Sequence, residues 1–419
     1  MTHRKVDVLV VGGGIIGVST AYFAALKGAD VLILEKSEIG SGSSGGNAGL
    51  IVPSYFEPLP GPGMVKEGVS GIFNVDGFFG LRPRLDPAFF WWLMRFITFC
   101  TNRHCESGIR IITALNEEAL RIHLEFAERG GTEYDFKRSG LLFLFLEKRR
   151  LAEAENRAAK ASKYGIKAEV LVGDQIQAVE PLAGENVTGG VRYLSDLRLN
   201  PALFLRWLSQ RATMLGAEII SQCEVYGFRT SAEGSVKQVL TTKGEFRADQ
   251  IVLATGAWLR PLGKCLGVSV PVEGGKGISQ TFYSPKVNLA QPLILGEHHI
   301  AVSSLTGAMR VTGLLELTGT DLTLDRRRVE GIHRAATRYV PALGEMQPGE
   351  VWRGLRPCTP DGLPLIGRLR HHNNVIIAGG HDTKGMTLGP LTGSFVAQLL
   401  SGQELPMFGK ELSPRRFSV

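Results

Sequence analysis

The run Val6-Asp7-Val8-Leu9-Val10-Val11 is almost unbroken in apolar character, the pattern of a strand buried on both faces of a parallel sheet. Gly12-Gly13-Gly14-Ile15-Ile16-Gly17 follows at once, then a helical stretch, then a second apolar run, Val31-Leu32-Ile33-Leu34, closed by Glu35. Residues 40–63 are rich in glycine, serine and proline and predict a long loop. Thr113 to Arg129 carries Leu115, Ala119, Ile122 and Phe126 near one helical face. Gly140 to Leu146 predicts a short buried strand, Leu151 to Tyr164 a helix, and Pro201 to Leu215 a helix with proline in its first turn. Strands follow at 217–220 and 223–228, then a hairpin through Gly234 and a buried strand over Gln250–Leu253 that runs into Thr255-Gly256. Residues 268–320 alternate as strands, including Gly277–Tyr283 and Met309–Leu317, and Asp325–Tyr339 predicts a helix. Asn374–Ala378 reads as a strand, followed by Gly379-Gly380 and a helix from about Pro390 to Leu400.

Segments of α/β style at both ends and around 195–260 therefore interrupt two strand-rich stretches. The expected fold is α/β, with a discontinuous Rossmann-like nucleotide domain at 1–80, 195–262 and 346–419. Inserted into it, at 81–194 and 263–345, is an α+β substrate domain built on an antiparallel sheet. A length of 419 residues suits two domains, and 44% hydrophobic with 21% charged residues suits an ordinary globular core.

The net charge is +7, but the basic residues are scattered. The densest clusters, Lys148-Arg149-Arg150 and Arg326-Arg327-Arg328, fall in helical stretches and predict solvated faces rather than a nucleic-acid module. Five cysteines without a CxxC pair fit free thiols in a reducing cytosol. His104-Cys105, His298-His299 and His371-His372 lack a second ligand cluster at suitable spacing, so no metal is expected. The opening residues show no signal-peptide pattern and no run is long enough to span a bilayer, so a cytoplasmic location is expected. Phe89 to Phe99, interrupted by Arg95, leaves two readings open: a buried helix of the second domain, or a helix that docks on a partner or peripherally on the inner membrane.

The glycine turn carries the first chemistry. Gly12 allows the tight turn, Gly14 lets backbone approach a pyrophosphate, Gly17 lets the helix pack on the strand, and the helix N-terminus faces the phosphates. Glu35 can accept from a ribose hydroxyl. The turn alone leaves NAD and FAD open.

Four blocks narrow this: Gly12 to Glu35; Gly40-Ser41-Gly42-Ser43-Ser44-Gly45-Gly46-Asn47-Ala48-Gly49-Leu50; Ala254-Thr255-Gly256-Ala257-Trp258; and a tail pair running from Trp352 to Gly367 and from Gly379 to Pro390. Together, and in this order, they resemble the FAD-dependent D-amino acid oxidase superfamily, in particular bacterial D-amino acid dehydrogenases and glycine-oxidase-like proteins. The resemblance spans Val6 to Gly402.

It implies FAD as cofactor, with Ile15, Ile16 and Lys36 beside the glycine turn. Ser43 and Ser44 would donate to the pyrophosphate or ribitol, and Asn47, Ala48, Gly49 and Leu50 would line the isoalloxazine. Thr255-Gly256 would pass beside the dinucleotide, with Trp258 towards the adenine or ribitol and Val225 pairing with the adenine. Gly354, Gly380, Lys384, Gly385, Met386 and Thr387 would surround the flavin, where N–H groups at a helix start stabilise charge at the N1–C2=O edge. Arg356 would hold a substrate carboxylate through parallel hydrogen bonds. Tyr55, Tyr283 and Lys276 would line the substrate pocket, with His381 beside it as a backbone anchor.

The implied reaction is oxidation of a small or cyclic D-amino acid by hydride transfer to flavin N5, with electrons leaving to a quinone or carrier. No side chain is assigned as a catalytic acid or base. An oxygen-using glycine or sarcosine oxidase, a D-hydroxyproline or proline dehydrogenase, and an FAD-binding subunit of an oligomeric electron-transfer complex stay open.

Overall fold

A strand that is apolar on both faces needs a hydrogen-bonded neighbour on each edge and cover on each side, and the computed structural model supplies both. It describes residues 2–66, 79–82 and 84–419; the stretch 67–78 of the expected first domain lies outside these. Thr2–Val11 pairs in parallel with Val31–Leu34 on one edge and with Gly244–Leu253 on the other. Glu218–Ile220 and Val375–Gly379 extend the parallel sheet at its two ends. Val8 and Val10 face one core and Val6, Leu9 and Val11 the other.

Above one face the helix Ile15–Leu26 packs against Pro201–Met214 and against Gly385–Leu400. This last contact is very close. A Cβ on Gly393 would lie 2.4 Å from the Ser19 carbonyl carbon, and one on Gly389 would lie 2.6 Å from Ile15 Cγ1. Glycine at these positions draws the two helices together until their N-termini meet over the ends of the parallel strands.

The helix expected to start near Pro390 begins earlier, at Gly385, with Pro390 inside it. Proline has no N–H to offer the Met386 carbonyl one turn back. Buried His123 does so instead, its Nε2 lying 3.2 Å from Met386 O and 3.0 Å from Thr387 O. Burial pushes this imidazole down to about 4, so it is neutral and Nε2 carries the proton.

The second sheet is mostly antiparallel, in the order Glu350–Cys358, Glu273–Tyr283, Ala308–Leu317, Ile300–Leu305, Leu293–Leu295, Leu141–Phe145, Gly189–Tyr193, Ala168–Val172. Arg326–Tyr339 covers one side through Ile332, Ala336 and Tyr339.

Two elements depart from the expected division. Glu350–Cys358 pairs along its whole length with Glu273–Tyr283, so it belongs to the second sheet although 346–419 was expected in the first domain. The helix expected over Thr113–Arg129 starts at Asn102, capped by Thr101, and reaches Gly130. Its Ile111, Leu115, Ala119, Ile122 and Phe126 pack into the core of the first sheet rather than the second.

Pro87–Phe99 forms a helix capped by Asp86. Phe89, Trp92 and Phe96 are buried, and Trp92 Nε1 donates to Cys358 O at 3.2 Å. Phe90, Trp91, Met94 and Ile97 point outward, so the helix is both buried and apolar at the surface.

Gly393→Ala places a methyl group against backbone that cannot yield as a side chain can. It is expected to lower unfolding free energy by about 1–3 kcal/mol, read as a shifted urea midpoint at unchanged slope; an unchanged midpoint contradicts the close contact.

Candidate functional site

The glycine turn is closed by sterics. Gly12 sits at φ +108°, and a Cβ there would lie 2.6 Å from Ala254 O; a Cβ on Gly17 would lie 1.9 Å from Gly12 O. Glu35 holds the turn from the next strand, accepting from Gly13 N at 2.6 Å and from Ser37 N at 2.9 Å. Ser44 Oγ accepts from Ile15 N at 3.1 Å, so the Gly40–Leu50 loop is tied to the first helical turn.

From this turn a cavity of about 550 Å³ runs to the second sheet. At one end it is lined by Gly12, Gly14, Ile15, Ile16, Glu35, Lys36, Val225, Thr255, Gly256 and Trp258. Lys36 Nζ lies 3.7 Å over the Trp258 ring, and burial lowers its pKa against the pull of Glu224 and Glu35. Ser43, Ser44 and Asn47 line the cavity as well, together with Gly354, Arg356, His381, Gly385 and Met386.

The loop owes its shape to residues that the sequence reading did not single out. Arg310 Nη1 donates to Gly45 O at 3.0 Å and to Asn47 O at 2.8 Å, while Nε reaches Thr281 Oγ1 at 3.3 Å. The Trp352 ring lies over Gly46 and Gly354, where a Cβ would come within 2.1 and 2.0 Å of it. Nothing in the local sequence marks Arg310, because its partners are carbonyls far along the chain.

Other expected residues lie outside the cavity lining. Gly17 packs helix on strand. Gly49 and Leu50 belong to a short strand connection with Leu197–Arg198, and Ala48 sits in the core beside them. Thr387 Oγ1 accepts from Val52 N at 3.0 Å. Gly380, at φ +73°, turns the chain against Thr359.

Lys384 is buried, its Nζ 4.0 Å from Asp382 Oδ2, and burial lowers its pKa while Asp382 raises it. Asp382 itself lines the cavity at φ +53° and accepts from the Cys358 thiol at 3.4 Å.

Three substrate assignments need correction or relocation. Lys276 faces away, because successive strand residues alternate faces and its neighbour Gly277 is the one lining the cavity. Lys276 Nζ instead reaches Thr323 O at 2.7 Å and Glu316 at 2.8 Å. Tyr283 stands at the exposed end of its strand, its hydroxyl donating to Glu350 at 2.8 Å. Tyr55 does not line the cavity but sits close enough to Arg356 and Arg157 to feel both charges, and burial pushes its phenol up to about 12.

His381 differs from the expected backbone anchor. Its Nε2 meets Thr392 Oγ1 at 2.7 Å, its Nδ1 has no partner among the described residues, and burial pushes it down to about 3, so it is a neutral imidazole. Arg356 is partly buried with one protein hydrogen bond among the described residues, from Nη1 to Leu314 O at 2.7 Å. Burial lowers its pKa, and Asp382 is the largest charge opposing that shift. Among the described residues no group of three His, Cys, Asp or Glu side chains is placed to hold a metal.

Arg310→Ala leaves the Gly45 and Asn47 carbonyls without their donor. Subtilisin should then cut within Gly40–Leu50 faster than in the wild type; equal resistance would show that the loop holds itself.

The arrangement combines a glycine turn, a helix start, an acid on the adjoining strand and a cavity whose lining includes Gly46, Gly277, Gly354 and Trp352. It fits a molecule with a ribose and pyrophosphate at one end and a planar ring at the other.

Comparison with known proteins agrees. A family model described as FAD dependent oxidoreductase (DAO) matches residues 7–399. The chain is similar to a D-amino acid dehydrogenase of Bradyrhizobium diazoefficiens, 32% identical over 406 residues and 95% of both chains. It is also similar to one of Granulibacter bethesdensis, 28% identical over 98% of this chain and 99% of the relative. Among solved structures, glycine oxidase from Bacillus cereus has the same fold, with a TM-score of 0.75 at 23% identity over 96% of each chain. The protein is thus a member of the DAO family of FAD-dependent oxidoreductases.

Proposed function

We propose that the protein oxidises the Cα–N bond of a small or cyclic D-amino acid to an imino acid; water hydrolyses an open-chain imine to a 2-oxo acid and ammonia, whereas a ring imine keeps its nitrogen and opens, if at all, to an amino-2-oxo acid. The observation carrying this reading is Arg356: a guanidinium lining the cofactor cavity, with only Nη1 engaged among the described residues. A guanidinium matches a carboxylate through two parallel hydrogen bonds and fixes its orientation. The relatives named D-amino acid dehydrogenase support the substrate class and the use of an acceptor other than oxygen.

FAD, when bound, accepts the substrate's Cα hydrogen with two electrons. The residues of the chain do the rest. Gly12, Gly14 and the start of Ile15–Leu26 would hold the pyrophosphate, Glu35 would take a ribose hydroxyl, Ser43 and Ser44 would donate to the pyrophosphate or ribitol, and Asn47 would line the ring system. Arg356 holds the carboxylate, and the walls of the second sheet exclude water. Burial pushes His381 down to about 3 and makes it a weak base, and no side chain is assigned as acid or base: the amine is proposed to enter already deprotonated.

Arg356→Ala should raise the KM for the amino acid by roughly 10- to 100-fold, as expected for losing a charge-assisted pair, while flavin absorbance stays with the protein. An unchanged KM would overturn the carboxylate role. Anaerobic bleaching of the flavin by a panel of D- and L-amino acids then reads the stereochemical preference.

For the acceptor we infer a quinone or carrier at the cytoplasmic face of the inner membrane, reached through Pro87–Phe99. Phe90, Trp91, Met94 and Ile97 form an outward apolar face, Leu85 stands fully exposed before it, and Arg95 lies 4.2 Å over the Trp91 ring. Aromatic and aliphatic side chains with arginine beside them suit a bilayer interface, and the net charge of +7 favours an anionic one. Among the described residues no helix is long and apolar enough to cross a membrane.

The double variant Phe90→Ser/Trp91→Ser should lose co-sedimentation with phosphatidylglycerol vesicles and reduction of a vesicle-borne quinone. Turnover with a soluble dye should be kept. Full vesicle binding by the variant would refute this surface, and fast reoxidation of the reduced wild type by air would favour the oxidase.

A further inference from the structure

The strands Glu273–Tyr283 and Ala308–Leu317 lose their regular register beside Arg356. Lys276 pairs with Glu316 and Ile278 with Gly313, so the single residue Gly277 faces two, Leu314 and Leu315. One extra residue on one strand is a β-bulge, and bulges re-aim the groups they carry. Leu314 sits at φ +70°, in the left-handed region that leucine seldom adopts. Its side chain stays buried in the core with Ile278, Met309 and Ile332. What the twist delivers to the site is the backbone: the Leu314 carbonyl accepts from Arg356 Nη1 at 2.7 Å.

The opposite strand makes room for the same guanidinium. A Cβ on Gly277 would lie 2.3 Å from Arg356 Nη1 and 2.7 Å from Cζ. The φ of Gly277 is not in the left-handed region, so its backbone does not require glycine. The missing side chain serves only to let the guanidinium lie over the strand.

We propose that the bulge and Gly277 together form a positioning device for the substrate carboxylate. The Leu314 carbonyl pins one amino group of Arg356, the bare Gly277 sets the plane, and Nε and Nη2, which bond no described residue, are the groups that donate to the carboxylate. Leu314 and Gly277 are thus positioning residues that act through Arg356. The inference rests on Arg356 being the carboxylate anchor, and the test separates the two.

Flavin-loaded wild type, Gly277→Ala, Leu314→Ile, Leu314→Met and Arg356→Ala are compared in three readouts. These are KM and kcat with the D-amino acid that bleaches the flavin fastest, the dissociation constant of propionate from its flavin difference spectrum, and flavin content with thermal midpoint. Gly277→Ala should raise KM and the propionate constant by about tenfold or more with kcat nearly kept, since a guanidinium displaced by an ångström loses its alignment. Leu314→Ile keeps the volume but puts a branched Cβ where φ is positive, and should behave like Gly277→Ala. Leu314→Met, unbranched at Cβ, should stay within about twofold of wild type.

The device is refuted if Arg356→Ala is impaired while Gly277→Ala binds both ligands like wild type, or if the Ile and Met variants are alike. Unimpaired Arg356→Ala overturns the anchor reading instead. Should Leu314→Ile fail to retain flavin, the KM-to-kcat split of Gly277→Ala decides.

Discussion

Close backbone approach is the constraint on which the rest of this molecule depends. Gly17 lies so near Gly12 O, and Gly393 so near Ser19, that neither position admits a side chain without moving backbone. The first contact sets the helix Ile15–Leu26 on its strand and the second sets Gly385–Leu400 on that helix. Each helix N-terminus carries unpaired N–H groups and a partial positive charge. Two helices locked together bring two such ends to one cavity, at a spacing decided by sterics rather than by flexible side chains. On the proposed reading, one end would meet the pyrophosphate in the middle of FAD and the other the flavin ring, which gains negative charge on reduction.

The far end of the cavity adds side-chain charge to backbone charge. Arg356 and Lys384 are cations close to one buried anion, Asp382. Of the two, Arg356 lines the cavity where the proposed carboxylate would sit. Strain collects in the same place: Asp382 at φ +53° and Leu314 at φ +70° are non-glycine residues in left-handed conformations, each costing about 1–2 kcal/mol. Both turn polar groups that touch the cluster, the Asp382 carboxylate towards the Cys358 thiol and the Leu314 carbonyl towards Arg356. A regular strand would not aim the Leu314 carbonyl there.

What could be read from the sequence follows from what is local. The turn Gly12–Gly17 and Glu35 lie on one strand–helix–strand unit, so their roles as turn, packing contact and acid are written in consecutive residues. The period of the strands also reads directly: alternation alone separates Gly277 from Lys276, and the residue without a side chain is the one that lines the cavity. Arg310 was invisible for the opposite reason, since it acts on carbonyls of a loop more than two hundred residues earlier. The helix start at Gly385 was hidden by Pro390, because the missing N–H is replaced by His123 from a distant helix. Glu350–Cys358 reads as either sheet's strand by pattern, and only its pairing with Glu273–Tyr283 assigns it.

On the proposed reading the two sheets would hold their ligands by different physics. The parallel sheet presents backbone: glycine turns, helix starts and strand ends, whose positions change little with the identity of neighbouring side chains. The antiparallel sheet presents side chains, Arg356, Arg310 and Trp352, and corrects their aim with a bulge and bare glycines. A cofactor common to a whole family suits the first arrangement, and a substrate that differs from member to member suits the second. Glu350–Cys358 joins the two: it is hydrogen-bonded into the antiparallel sheet, and it carries Gly354 and Arg356 to the cavity that opens on the parallel one. Any displacement of this strand moves the proposed substrate anchor relative to the cofactor. Its full-length pairing with Glu273–Tyr283, and the Trp92 bond to its last carbonyl, keep that distance fixed and also connect it to the helix whose outer face is proposed to meet the acceptor.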